Sequence, residues 1–181
     1  MNSLKLRNIK GANLKIDLSK AYDRVSWIYI RLLLTHIGFS LPIVNWNMSY
    51  ISFVSCVVLI NGSTTPFFHA QRDLRQGCLL SLILFLLVIK GLSQILGGAK
   101  RRGFLKGLCV VVGLFTSPLL FVDGILVFCD GTRRDVIAIK DALTLFEVVT
   151  YMIINSAKST LSIYGLKVED LEFSKVHFPF L

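Results

Sequence analysis

Eleven consecutive residues, Leu79-Leu-Ser-Leu-Ile-Leu-Phe-Leu-Leu-Val-Ile89, carry a single polar side chain, Ser81. A stretch so apolar has two destinations, the hydrocarbon of a bilayer or the middle of a protein core. Length arbitrates between them: a spanning helix needs about 20 such residues, and Lys90 stops this run. A second apolar stretch, 108–122, contains Gly113 and Pro118 and is followed by Asp123. Both read as core elements, the first as a helix over 79–96 closed by Gly97-Gly98, and no membrane partner is expected. The alternative is a small membrane hairpin built on the same two stretches, with the basic loop 100–106 on the cytoplasmic side. A mean hydropathy of +0.65 keeps that alternative open.

A chain of 181 residues, 54% of them hydrophobic, most simply makes one domain with a filled core. Its net charge is +9 and its pI about 9.6, with one cationic cluster, Lys100-Arg101-Arg102 plus Lys106. That balance favours a polyanionic partner. Cys56, Cys78, Cys109 and Cys129 have no zinc-ligand spacing and read as small buried residues in a reducing compartment. The first residues lack an apolar core of the kind a secretory signal carries, so none is expected.

Local signals order the rest. Asn13 to Asp17 alternates as a short strand, and Ser26 is placed to cap a helix from Trp27 to about His36, ended by Gly38. Pro42 suits the first turn of a second helix. The β-branched run Val54 to Ile60 ends in Asn61-Gly62, the dipeptide of a type I′ hairpin, with a returning arm over Thr64 to Ala70. A polar turn, Leu74-Arg-Gln-Gly-Cys78, opens the apolar helix. Thr132 with Asp135 has capping-box spacing. Behind it Val136, Ile139, Leu143, Phe146 and Val149 recur on one face of a helix. Residues 108–128 read as a hairpin with Asp123-Gly124 at its tip, and 153–164 as a final strand pair. This order predicts an α+β fold, an antiparallel sheet backed by helices.

Two acids sit on these strands. Asp17 closes the first strand, and Asp123 lies between apolar arms about a hundred residues later. Strand-borne acids brought together form a divalent-metal site, suited to phosphoryl transfer through two ions about 4 Å apart. Taken alone, Asp17 reads equally well as a turn or capping carboxylate.

Four segments then occur in a particular order: Lys15-Ile-Asp-Leu-Ser-Lys-Ala-Tyr-Asp-Arg-Val-Ser-Trp27, Leu74-Arg-Gln-Gly-Cys78 with its downstream helix, Phe121-Val-Asp123, and Ile154-Asn155 with Lys158-Ser159. Their order and spacing resemble the palm of a reverse transcriptase, specifically that of the LINE-type (non-LTR) retrotransposons of plants. The resemblance covers residues 13–165 and leaves 166–181 as an irregular C-terminal tail. It implies a palm-like sheet with incomplete fingers and no thumb. It also implies RNA-directed DNA polymerase activity with two Mg²⁺ ions, an RNA template, a DNA primer, deoxynucleotide triphosphates and an intracellular setting, nuclear or cytoplasmic.

Roles follow from the resemblance position by position. Asp17 and Asp123 match the metal-binding acids. Tyr22 matches the ring that packs under the nucleotide sugar and excludes a 2′-hydroxyl; as an isolated aromatic it would be core. Arg75, Gln76 and Gly77 match the loop that contacts template–primer and nucleotide. Lys158 matches a lysine that neutralises or protonates the leaving pyrophosphate, with a plain surface lysine as the alternative. Asp23 reads as structural, pairing with Arg24 or capping the helix.

The chain departs from the family pattern at its most sensitive point. The family carries two consecutive aspartates at the hairpin tip, and here the second is Gly124. Leu79 and Leu82 stand where prolines are usual, Pro118 where a histidine is, and Met152 where a glycine is. Losing a carboxylate predicts weakened Mg²⁺ binding and a rate loss of two or more orders of magnitude, on the order of a few kcal/mol. The chain thus reads as a degenerate fragment, and a non-catalytic nucleic-acid-binding remnant is the runner-up.

Overall fold

Along Gly11–Ser19 every second side chain enters the core: Ala12, Leu14, Ile16 and Leu18 are buried, while Asn13, Lys15 and Asp17 occupy the opposite face. That period of two is the signature of a strand with one covered side. A computed structural model describes residues 11–178 apart from 54, 71, 107–108, 112–113, 116–118, 121–123 and 166–167. Pro118 and Asp123 lie outside the described residues.

The elements run as strand β1 (Gly11–Ser19), a single turn α1 (Ala21–Arg24), and helices α2 (Trp27–Ile37) and α3 (Leu41–Ser52). Short strands β2 (Ser55–Cys56), β3 (Leu59–Ile60), β4 (Ser63–Thr64) and β5 (Phe68–His69) precede the long helix α4 (Leu79–Arg101). Strands β6 (Cys109–Val111), β7 (Leu114–Phe115), β8 (Leu119–Leu120) and β9 (Gly124–Cys129) lead to helix α5 (Arg133–Thr150). Strands β10 (Ile153–Ile154) and β11 (Thr160–Tyr164) and helix α6 (Val168–His177) follow.

β1 is the central strand of an antiparallel sheet. β9 pairs along one edge from Ala12 to Asp17, and β8 pairs with β9 beyond it. On the other edge β11 pairs with Gly11 to Lys15 and β10 with Leu18 and Ser19. The expected final strand pair is therefore two strands that both join β1. Leu14, Ile16, Ile125 and Val127 form the covered face, in one core with Phe85, Val88 and Leu92 of α4 and Ile139, Leu143 and Phe146 of α5. Truncating any such residue to alanine costs roughly 2–5 kcal/mol. The α+β expectation, sheet backed by helices, holds.

Several local signals work as their chemistry requires. The Ser26 hydroxyl accepts from the Tyr29 N–H at 3.3 Å, and α2 stops at Gly38 with φ of 99°. Asn61 and Gly62 both have positive φ, 49° and 83°, and place Ile60 opposite Ser63. The capping box is half formed. Thr132 Oγ1 accepts from the Asp135 N–H at 3.3 Å, but the Asp135 carboxylate turns away to other donors.

Other expectations are corrected. α4 continues through Gly97-Gly98 to Arg101. Each glycine costs about 1 kcal/mol in a helix interior, and burial of Leu96 and Ala99 on either side outweighs it. The described residues of 108–122, the second arm of the membrane alternative, lie in short strands and not in a helix. α4 is long and apolar enough to cross a bilayer by length and composition, yet it buries Leu84, Phe85, Val88, Ile89, Leu92 and Leu96 inside the protein. Within the expected irregular tail the described residues Val168–His177 form α6, which packs on α5, with Ser174 and Phe178 buried. Its apolar residues follow no helical period, so no sequence signal marked it. Cys129 is buried, but Cys56 and Cys78 are partly exposed. Gly124, expected at the hairpin tip, is the first residue of β9. Met152 is fully buried beyond α5, and the left-handed backbone falls one residue earlier, on Tyr151 with φ of 60°.

Candidate active site

Asp17 lies near the end of β1, half-buried on the face away from the helices. Its position is fixed from both edges. Across the ladder its Cα partner is Gly124. On the other side its N–H donates to Ser159 Oγ at 3.1 Å, and its carbonyl accepts from the Asn155 N–H at 2.8 Å. The Asn155 carbonyl in turn accepts from the N–H groups of Lys158 (3.2 Å) and Ser159 (2.9 Å). A tight turn therefore carries the exposed Lys158 beside the strand that bears Asp17.

A second group forms around Tyr22. Its ring stacks on Phe85 of α4 at 4.3 Å between centroids and 15° between planes. Burial pushes its hydroxyl pKa up. Its carbonyl accepts from the Leu74 N–H at 3.0 Å, and Trp27 Nε1 donates to the Asp73 carbonyl at 2.8 Å. These two bonds pin the entrance of the Arg75-Gln76-Gly77 turn against α1 and α2. All three turn residues are exposed, and Gly77 has φ of 82° with open space where a Cβ would sit. Glycine is thus required here by backbone conformation. Arg75 and Gln76 line a cavity of about 570 Å³ together with Asp23, Asp73, Trp46 and Tyr50. Burial, and after it the nearby Asp23 charge, raises the Asp73 carboxyl. Asp23 does not cap α1, whose N-cap is Lys20.

The structure thus gathers Asp17 with Lys158, and Tyr22 with Arg75, Gln76 and Gly77. The strand end from 17 to 22 connects the two groups. Asp123 falls outside the described residues. Among those described, no group of three or more His, Cys, Asp or Glu is placed to hold a metal ion. Asp17 is the one described acid of the expected pair, and Gly124 opposite it offers no ligand atom. The described donors therefore do not fit two dications. Among the described residues, an added Cβ at Gly124 would meet only the Ile16 carbonyl oxygen, at 3.9 Å.

The family described as reverse transcriptase (RNA-dependent DNA polymerase) matches residues 4–178. The chain belongs to this family. Reverse transcriptases of this family normally work with divalent metal ions. Among solved structures, the apo telomerase of Candida tropicalis truncated from its C-terminal domain superposes with a TM-score of 0.62 at 17% identity, over 92% of this chain and 34% of that one. Telomerase from the same organism, in complex with the TWJ fragment of telomeric RNA, gives 0.62 at 16% identity, over 90% and 28%. A further apo telomerase structure gives 0.58 at 15%, over 88% and 30%. The likeness is one of fold, and the chain spans about a third of these proteins. It corresponds to a reverse transcriptase domain of α+β architecture.

Two residues that hold this domain's site were not assigned roles from sequence. Ser159 was visible as part of a motif, yet nothing in the spacing ties its hydroxyl to the backbone of Asp17, 142 residues away. Trp27 closes the motif around Asp17, but its clamp on the Asp73 carbonyl depends on how α2 is docked.

Proposed function

We propose that the chain is the palm of an RNA-directed DNA polymerase of LINE-type retrotransposon origin whose nucleotidyl transfer is impaired. The observation that carries this reading is the pairing of Asp17 with Gly124, a strand position where a Cβ would be in ordinary contact and no carboxylate is present. Its substrates are an RNA template, a DNA primer and deoxynucleotide triphosphates. Divalent ions, if bound there, would supply stabilisation of the negative charge that nucleotidyl transfer develops. Asp17 and Asp123 are the acids left to bind them. Tyr22 offers a ring held rigid by Phe85, against which a sugar can pack. Arg75, Gln76 and Gly77 present donors and a bare backbone on an anchored turn. Lys158 brings a cation to the same end of the sheet, where pyrophosphate charge would need neutralising. The ordered motifs support the retrotransposon origin.

Primer extension on an RNA template, with Mg²⁺ and with Mn²⁺, compares the native chain with Gly124→Asp. Extension by the variant alone is the expected result. Equal extension by the native chain would sink the impairment. A second reading, a nucleic-acid-binding remnant without chemistry, is favoured by the net charge of +9. Silence from both proteins, with salt-dependent binding of an RNA–DNA duplex retained, selects it.

A further inference from the structure

The cationic cluster of the sequence becomes, in three dimensions, one built surface at the far end of the sheet from Asp17. After α4 the chain turns at Gly103 (φ of 73°), and the Phe104 N–H returns to the Ala99 carbonyl at 2.9 Å. Leu105 is buried, and the Lys106 N–H is held by Asp135 Oδ1 at 3.1 Å. Asp135 belongs to the first turn of α5, so this bond joins the basic connector to Arg133-Arg134. Arg134 stacks its guanidinium over Phe104 at 5.7 Å, and that ring stays 51% exposed. Beside it opens a cavity of about 640 Å³, walled by Ile95, Ala99, Ile137 and Leu145 and edged by Arg102, Arg134 and one acid, Asp141. In the ladder Cys129, one residue before Asp130 and the turn into α5, pairs with Ala12, whereas Gly124 pairs with Asp17. Five residues of strand separate the two ends, about 17 Å at 3.4 Å per residue.

We propose that this surface is a second contact for single-stranded RNA, separate from the groove at Asp17. Cations spaced along a fixed connector track a phosphate backbone, and an exposed aromatic ring beside guanidinium groups is a stacking platform for a base. The apolar cavity receives the face of a neighbouring base. The choice of RNA rests on the reading of the chain as a palm that handles an RNA template; the surface itself rests on its own geometry. A strand leaving the groove is held here, so the surface adds grip without taking part in chemistry.

The test is fluorescence anisotropy with a labelled single-stranded RNA of mixed sequence, alongside an RNA–DNA duplex. The proteins are the native chain, Arg102→Glu with Arg134→Glu, Phe104→Ala, and a control of equal charge change, Arg31→Glu with Lys175→Glu. The patch reversal is expected to weaken single-strand binding at least tenfold, and Phe104→Ala at least fivefold. The control should stay within twofold. Because Phe104→Ala leaves charge unchanged, it reports on the surface even where the double reversal fails to fold. Equal weakening by patch and control variants overturns the proposal, as does an unchanged Phe104→Ala. Capture of anionic lipid vesicles that is lost with the patch, while RNA binding persists, also overturns it. Arg75→Ala reads the groove separately: intact duplex binding there would count against the palm assignment and leave the RNA surface standing.

Discussion

Asp17 and Gly124 face each other directly across two antiparallel strands, a carboxylate on one and bare backbone on the other. Side chains at such paired positions have Cβ atoms about 5 Å apart. An aspartate at 124 would therefore put two carboxylates within reach of one ion, and among the described residues its Cβ would meet nothing closer than the Ile16 carbonyl oxygen at 3.9 Å. Gly124→Asp is expected to fold as the native chain does. With Mn²⁺ at about a hundred times its dissociation constant, binding adds about 2.7 kcal/mol. In a domain of this size that raises the melting temperature by roughly 5–10 °C. The native chain should show a clearly smaller shift in the same thermal scan, and equal shifts would mean that position 124 is not part of the ion site.

Gly91 inverts the usual helix rule. Alanine in place of an interior glycine ordinarily stabilises a helix by up to about 1 kcal/mol. Here a Cβ at Gly91 would overlap the Tyr29 hydroxyl, which α2 presses against α4. Gly91→Ala should cost about 1–3 kcal/mol through overpacking. Adding Tyr29→Phe removes the colliding oxygen, and urea unfolding of the double variant should recover most of the loss. Failure of that rescue would place the cost elsewhere.

Cys78 and Cys129 should differ sharply in reactivity. A hydrogen bond from the Tyr50 hydroxyl, with S···O of 3.3 Å, lowers the Cys78 thiol to about 7. Burial pushes Cys129 up to about 12. Alkylation by iodoacetamide should rise with pH around a midpoint near 7 at Cys78, and Cys129 should react only on unfolding. Tyr50→Phe should move the Cys78 midpoint upward. Peptide mapping of the alkylated chain resolves the two sites, and an unmoved midpoint would dismiss the Tyr50 contact as the cause.

The parts of this fold that could be read from sequence are those set by local chemistry. Ser26, Gly38, Pro42 and the Asn61-Gly62 turn act within a few residues of themselves, and the alternation of β1 needs only a covered face. The helix runs past Gly97-Gly98 because a local penalty of about 1 kcal/mol per glycine competes with burial that sequence does not display. β10 and β11 looked like partners because they are neighbours in the chain. Their real partner is β1, where the ladder runs from Gly11 to Lys15 and again at Leu18 and Ser19. At the site, the residue types were legible and their supports were not: the Ser159 hydroxyl, the Phe85 ring and the Trp27 indole act over long sequence separations. α6 carries no sequence signal because Ser174 is buried while Val176 is 76% exposed, against any simple apolar face.

The buried Asp135 carboxylate gives the last prediction. It accepts from the Lys106 N–H at 3.1 Å and the Asp130 N–H at 3.4 Å, and it has no exposed surface. Burial raises it from 3.8 to about 6, more than the Lys106 hydrogen bond lowers it, and the facing Asp130 carboxylate adds to the rise. The sign follows from proton counting. Between pH 4 and 6 the folded chain holds this proton more often than the unfolded chain does, so the contribution of Asp135 to stability falls as pH rises. Below about 3.8 both states are protonated, and above about 6 both are ionised, so the contribution is flat outside that window. Asp135→Asn carries no titrating group at this position. Urea unfolding of both proteins at pH 4, 5, 6 and 7 should therefore show the native chain losing stability relative to the variant from pH 4 to 6, with no further change at 7. A constant difference across the series would show that Asp135 titrates at its ordinary value, and that the join between the basic connector and α5 is held without a strained charge.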